Sequence, residues 1–262
     1  MNDTLIRIVP FLAVLGIMAG WEFLAPRRER PVPRKRRWPV NLGITLLNTL
    51  VLRLLFPTAA VGAALLAETH HWGLFNVFNP PESMVIAGCV ILLDLAIYLQ
   101  HVLVHKIPLF WRFHRMHHSD IDLDVTSGLR FHPVEIIFSM LIKYAIICLL
   151  GAPVLAVLIF ETVLNCSAMF NHSNVYIPPA LDRMLRWIIV TPDMHRVHHS
   201  ILREETDSNY GFNLPWWDRL FRTYRPAPTP DQLRMTIGLP IFRDPADQTL
   251  KGLLKQPFAP LT

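Results

Sequence analysis

The 262-residue chain is 52% hydrophobic and only 17% charged, with a positive mean hydropathy, which argues against an ordinary soluble domain and for long apolar runs that cross a bilayer. Its formal net charge of +5 does not mark a nucleic-acid surface, because seven of the 25 Lys and Arg fall in residues 27–37 (RRERPVPRKRR) and leave 18 basic against 19 acidic residues elsewhere. Cys89, Cys148 and Cys166 sit in apolar stretches without CxxC spacing, which argues against a disulfide framework or a thiolate metal site.

Five apolar segments follow in chain order, at roughly 5–25, 40–67, 84–100, 134–150 and 153–171. The expected fold class is therefore all-α, a polytopic membrane bundle of about four to five such segments with a cytoplasmic helical cap. The first segment has an early Arg7 and no small-residue cleavage site before Trp21, so it reads as a retained span rather than a removed signal peptide. The basic cluster behind it reads as a cytoplasmic topology signal or an anionic-lipid contact. With that loop in the cytoplasm, the first three spans run out-to-in, in-to-out and out-to-in, and the third delivers His101 to the cytoplasmic side. The last two form a hairpin about Gly151-Ala152-Pro153. Everything from His101 to His132 and from His172 to His199 then faces one side, with His70 and His71 on the other. Lys143 and Glu161 are equidistant from Ala152, so an antiparallel hairpin predicts an ion pair between them. Arg53 and Asp94 are placed similarly across the 68–83 link. The chain is expected to divide into N-terminal membrane segments and basic loop (1–83), a histidine-bearing region (84–225) and a C-terminal tail (226–262).

Half of the twelve histidines belong to two near-copies of one string, HRMHHS at 114–119 and HRVHHS at 195–200. His101 and His105 are four apart on a helix continuing out of the third segment, so they share a face. Pro108 suits a helix start, and His114, His117 and His118 at i, i+3 and i+4 share a face of that helix. TPDMHRVHHS repeats the arrangement, with Thr191 as N-cap, Pro192 in the first helical position, and His195, His198 and His199 projecting together. His132 (LRFHPVE) and His172 (FNHSN) flank the hairpin. Imidazole suits iron, zinc, copper and nickel, and one metal rarely takes more than six ligands, so eight to ten clustered histidines predict two metals. A single tetrahedral zinc needs only four.

The order HxxxH, HxxHH, hydrophobic hairpin, HxxHH, together with HSDIDLDVTSGLRFHPVE, TPDMHRVHHS and the closing NYG and WDRLF, resembles the fatty acid hydroxylase/sterol desaturase superfamily over residues 90–225. Its bacterial sterol-desaturase-like members are nearest, the alkylglycerol monooxygenase branch more distant. The resemblance implies an integral-membrane oxidoreductase whose metal ligands are His101, His105, His114, His117, His118, His195, His198 and His199, with His132 and His172 as additions. It further implies two Fe2+ ions (zinc being the alternative in isolated protein), dioxygen as oxidant, and a lipid substrate entering from the bilayer. The expected outcome is hydroxylation or desaturation of a fatty acyl, sterol-like or ether lipid. Electrons are expected from a separate carrier, a ferredoxin or a cytochrome served by an NAD(P)H reductase, because the chain has no flavin, haem or Gly-rich nucleotide motif. The expected location is an integral membrane site on the cytoplasmic side, in the inner membrane of a bacterium.

Two departures from the family pattern stand out: Val102 follows His101 where many relatives carry arginine, and Arg222 occupies a turn position where glycine is usual. Asp94 shares a helical face with His101 but lies about 10.5 Å of rise away, so it either orients a histidine from another helix or neutralises Arg53. Trp216 and Trp217 read as interface anchors. The Arg203-Glu204-Glu205 loop reads as solvated, with carrier docking as the alternative. The rival functions are a zinc-dependent membrane hydrolase and a metal-handling membrane protein; a transporter would hold its histidines near the bilayer midplane, and these lie beyond the span ends.

Overall fold

A computed structural model describes residues 3–260 and is helical throughout, apart from two isolated β-bridges and irregular links. Helix α1 (Asp3–Leu24) leads through the basic loop into α2 (Arg34–Leu55), and then come α3 (Ala59–Thr69) and the short α4 (Leu74–Phe78). The long α5 (Glu82–Lys106) turns at Ile107 into α6 (Pro108–His118); α7 (Pro133–Leu150) and α8 (Val154–His172) form the hairpin. Short helices α9 (Pro179–Leu185), α10 (Pro192–His198), α11 (Arg203–Thr206), α12 (Trp216–Leu220) and α13 (Leu250–Lys255) complete the chain. Among the described residues five stretches are long and apolar enough to cross a bilayer: Leu5–Leu24, Arg34–Phe78, Glu82–Lys106, Pro133–Leu150 and Val154–His172. The protein is an integral membrane protein with several spans.

The second apolar segment is not one continuous helix. Pro57 lacks an N–H and disfavours a helical residue before it, so α2 closes with Phe56 N–H donating to Leu52 O and the chain restarts as α3. Ala60, Ala63, Ala64 and Ala67 are fully buried on α3, and this small-residue face lets it lie close to α7, where the Tyr144 hydroxyl donates to Ala59 O at 2.6 Å. The α7–α8 turn forms as expected, with Gly151 at φ +68° capping α7. A Cβ on Gly73 would sit 2.0 Å from Gly151 N, so the link after α3 packs directly on that turn. His70 and His71 therefore lie at the opposite end of the hairpin from His132 and His172, the division expected from topology.

Within the hairpin Lys143 Nζ donates to Glu161 Oε1 at 2.9 Å, as predicted, and Arg7 Nη1 of α1 adds a partner 2.6 Å from Glu161 Oε2. The Arg53–Asp94 pair does not form. Arg53 is exposed, and Asp94 Oδ2 instead accepts from Trp217 Nε1 at 2.8 Å and Leu214 N at 3.3 Å. Asp94 thus neither pairs with arginine nor touches a histidine; it ties α12 to α5.

Most cations of the basic loop are also engaged within the fold. Of its seven cations only Lys35 and Arg36 are exposed. Arg27 pairs with Asp193, Arg30 and Arg34 with the buried Glu22, and Arg28 donates to Met235 O. Arg37 bridges Asp120 (2.5 Å) and Asp124 (2.9 Å). Burial alone raises the Asp120 carboxyl, but the Arg37 and Arg130 guanidiniums hold it down at about 2. The cluster is mostly an internal clamp that fastens α1 and α2 to the loop after α6.

Candidate metal centre

Nine histidines meet at the ends of the spans in two groups: His101, His105, His114, His118 and His198 in one, His117, His172, His195 and His199 in the other, with the ring nitrogens of each group within 4.8 Å of one another. All nine are buried. The local sequence explains this placement. The third span simply continues as helix through His101 and His105, Pro108 restarts the chain as α6, and Thr191 caps α10 by accepting from Met194 N at 3.3 Å. Each HxxHH string, expected to present its three histidines on one helical face, divides them between the two groups. In the first string His114 and His118, one turn apart, enter the five-histidine group while His117 enters the other; in the second, His195 and His199 enter the four-histidine group while His198 crosses to the first. At i, i+3 and i+4 the two outer side chains stack on one line and the middle one is offset around the helix, so each string serves both groups. His118 and His199 lie face to face between them, with centroids 4.5 Å apart.

His132, expected with these ligands, lies outside both groups. Its Nδ1 accepts from Val134 N at 3.2 Å, which makes it the N-cap of α7, and its ring rests against Phe113. Pro133 starts the helix immediately behind it, so the backbone there claims the imidazole.

Several outward ring nitrogens are held by acceptors. Nδ1–H donates from His101 to Tyr210 O (2.7 Å), from His114 to Glu135 Oε1 (2.6 Å), from His117 to Arg130 O (3.2 Å), from His172 to Ala168 O (2.6 Å) and from His198 to Ser208 O (2.7 Å). A neutral ring that donates through Nδ1 carries its lone pair on Nε2, and these Nε2 atoms point inward. His172 Nε2 lies 3.0 Å from His117 Nε2, 3.1 Å from His195 Nε2 and 3.2 Å from His199 Nε2, and His101 and His198 face each other at 3.0 Å. Nitrogens about 2.1 Å from a shared ion sit roughly 3.0–3.4 Å apart along the edges of an octahedron or tetrahedron. Nε2 of His105, His114 and His118 is buried with no hydrogen-bond partner. Burial and neighbouring imidazoles push His117, His118, His195 and His199 well below the ordinary histidine range, and burial pushes His198 to about 3, so these rings are in the neutral form that ligates. Inward lone pairs, edge-length spacings and orphaned nitrogens together fit metal ions in both groups; no carboxylate or thiolate joins either group among the described residues.

Sequence reasoning missed the supports. Glu135, in the first turn of α7, orients His114. Asp218 accepts from Tyr210 N, Gly211 N and the Thr223 hydroxyl, which aims the Tyr210 carbonyl at His101. The NYG and WD strings are thus one unit that holds a histidine. A Cβ on Gly211 would sit 2.7 Å from Asp218 Oδ2, which explains the glycine. Trp217, read as an interface anchor, turns inward to Asp94, whereas Trp216 stays exposed. In the Arg203–Glu205 loop Glu205 is buried and pairs with Arg225, so that loop is held from within. On the membrane side Phe131 stacks on His117 at 4.4 Å, and Phe212 lies 5.5 Å from His101 while joining the apolar core of Leu93, Ile97 and Phe160.

Two all-imidazole groups suited to metal binding stand at the ends of a helical membrane bundle, and the chain belongs to the fatty acid hydroxylase family, whose pattern matches residues 86–223. Its members are membrane lipid hydroxylases and monooxygenases, and the chain is accordingly an oxidoreductase. It is 30% identical to ornithine lipid hydroxylase OlsE of Rhizobium tropici over 235 residues, covering 87% of this chain and 70% of that one. It is 28% identical to alkylglycerol monooxygenase of Xenopus tropicalis over 76% of this chain and 43% of that one. To human cholesterol 25-hydroxylase it is 24% identical over 85% of this chain and 80% of the relative. No solved structure matches the chain.

Proposed function

We propose that this protein is a dioxygen-dependent hydroxylase that inserts oxygen into a C–H bond of a bilayer lipid, using one iron ion in each histidine group, on the cytoplasmic side. The observation that carries this reading is the adjacency of two buried all-imidazole groups at the ends of membrane spans. When bound, a redox-active metal pair supplies the reductive activation of dioxygen that acid–base groups cannot provide for an unactivated C–H bond. The chain's own residues do the rest. Nδ1–H donation to Tyr210 O, Glu135, Arg130 O, Ala168 O and Ser208 O fixes ring orientation and tautomer, and burial excludes water. Phe131 and Phe212 form the apolar boundary between the nitrogens and the core of the spans, the side from which a lipid chain approaches. Electrons come from a separate cytoplasmic carrier. Hydroxylation is favoured over desaturation because the similar proteins carry hydroxylase and monooxygenase names, and an amphiphilic lipid of the membrane itself is the substrate class they suggest.

The test is lipid mass spectrometry of a strain overproducing the protein under isotopically labelled dioxygen, beside strains carrying His117→Ala and His198→Ala. The reading expects a lipid heavier by one labelled oxygen in the wild type alone. Loss of two hydrogens in place of that gain, or product formed without oxygen, would replace hydroxylation with desaturation or hydrolysis.

A further inference from the structure

Outside the five spans, one surface is conspicuously apolar. Leu181, Met184, Trp187, Ile188, Trp216 and Leu220 are 45–69% exposed, from α9, the turn after it and α12. They form one patch: Trp216 Nε1 donates to Trp187 O at 2.8 Å, and the Arg219 guanidinium donates to Arg186 O while lying 3.9 Å from the centroid of the Trp187 ring. A patch this rich in large apolar and indole side chains is unusual on a water-facing surface.

Two independent anchors fix its height. At one end, the link before α9 pairs with the chain leaving α1, through Arg27 N to Asn174 O and Tyr176 N to Ala25 O, so α9 starts where the first and fifth spans end. At the other end, α12 packs on the third span, with Trp217 bonded to Asp94 and Phe221 stacked on Tyr98 at 5.4 Å. Tyr98 and Asp94 precede His101 by about 4.5 and 10.5 Å of helical rise, on the membrane side of the histidines. The patch therefore lies at the level where the spans leave the bilayer. Its charges are sorted as well: Asp182 is buried and pairs with Arg186, Asp218 is buried and accepts from Tyr210 N, whereas Arg183 and Arg222 are exposed.

We propose that α9, its following turn and α12 form a monotopic membrane contact, lying in the headgroup–acyl boundary of the leaflet that carries the histidine groups and recruiting anionic phospholipid through Arg183 and Arg222. Apolar side chains enter the acyl region, tryptophans sit at the boundary and the arginines meet phosphates. The contact continues the surface of the spans rather than adding a separate site. It also bears on the metal centre, because Val190, whose N–H donates to Asn213 O at 3.0 Å, joins this surface directly to the Thr191 cap of α10 and so to His195, His198 and His199.

The test places the photo-crosslinker p-benzoylphenylalanine singly at Met184, Leu220, Leu54 on the exposed face of α2, or Glu204 on the polar cap, in full-length metal-loaded protein. The protein is held in nanodiscs of equal phosphatidylcholine and phosphatidylglycerol. Illumination is expected to capture phospholipid at Met184 and Leu220 as at Leu54, with none at Glu204. Phosphatidylglycerol should be captured in roughly fivefold excess, falling to parity in the Arg183→Gln/Arg222→Gln chain. Failure to capture lipid at Met184 and Leu220, or capture of a second copy of the chain, would overturn the proposal; equal capture of the two lipids in the wild type would overturn its anionic selectivity.

Discussion

Glu135 reaches His114 from the first turn of α7 at 2.6 Å, and it is the only carboxylate that hydrogen-bonds a grouped histidine among the described residues. Glu135→Ala should weaken metal retention about 10- to 100-fold in a chelator titration, with Glu135→Gln, which keeps an acceptor, losing less. Asp122 gives a test with the opposite charge logic. Burial first, then the neighbouring Asp120 and Asp124, push its carboxyl up to about 7 despite Arg37, and Oδ2 has no partner. A folded-state value above the unfolded one means its contribution is fully present below about pH 4 and is lost as pH rises through 7. Asp122→Asn should therefore raise thermal stability at pH 8, by on the order of 2 kcal/mol, and leave it unchanged near pH 4, measured as melting curves in detergent. Arg222, which stands where the family favours glycine, keeps the turn at φ +60°. Arg222→Gly should stabilise the protein by about 1 kcal/mol. The histidines were legible in the sequence because helical spacing alone aligns them. Glu135 was not, because the FHPVE string points first to His132, and only the start of α7 at Pro133 decides that His132 caps the helix while Glu135 faces the histidine groups.

At the scale of elements, the α7–α8 hairpin was readable from the equal spacing of Lys143 and Glu161 about Ala152, and the pair forms. What the spacing could not show was Arg7, which arrives from α1 and makes the buried Glu161 the centre of a triad. Glu161→Leu alone strands two cations and should cost about 3–5 kcal/mol of stability. The Lys143→Met/Glu161→Leu chain should be much milder, since Arg7 is partly exposed and its long stem can carry its charge toward the interface. Equal loss of thermal stability in the single and double variants would contradict the triad. Arg53 and Asp94 were symmetric on paper too, but the break at Pro57, the separate helix α3 and the turn and α4 that follow it remove the common register, and Asp94 is claimed by α12. The internal pairing of the basic loop was illegible for a related reason. Its partners, Glu22, Asp120, Asp124 and Asp193, lie before and far after it in the chain, so that composition marked the charge without revealing the clamp.

For the molecule as a whole, the spans, their shared end and the two repeated strings belong to one design. Five apolar stretches bring α5, α6, α8 and α10 to one end, and the HxxHH spacing lets α6 and α10 each contribute to both histidine groups. The central claim is that these groups hold two ions. Metal analysis of protein purified and iron-loaded without oxygen, paired with a chain in which His172, His195 and His199 are all replaced by Ala, tests it most directly. Two irons per wild-type chain and about one in the triple variant are expected; a single ion in the wild type, or an unchanged count in the variant, would contradict the account.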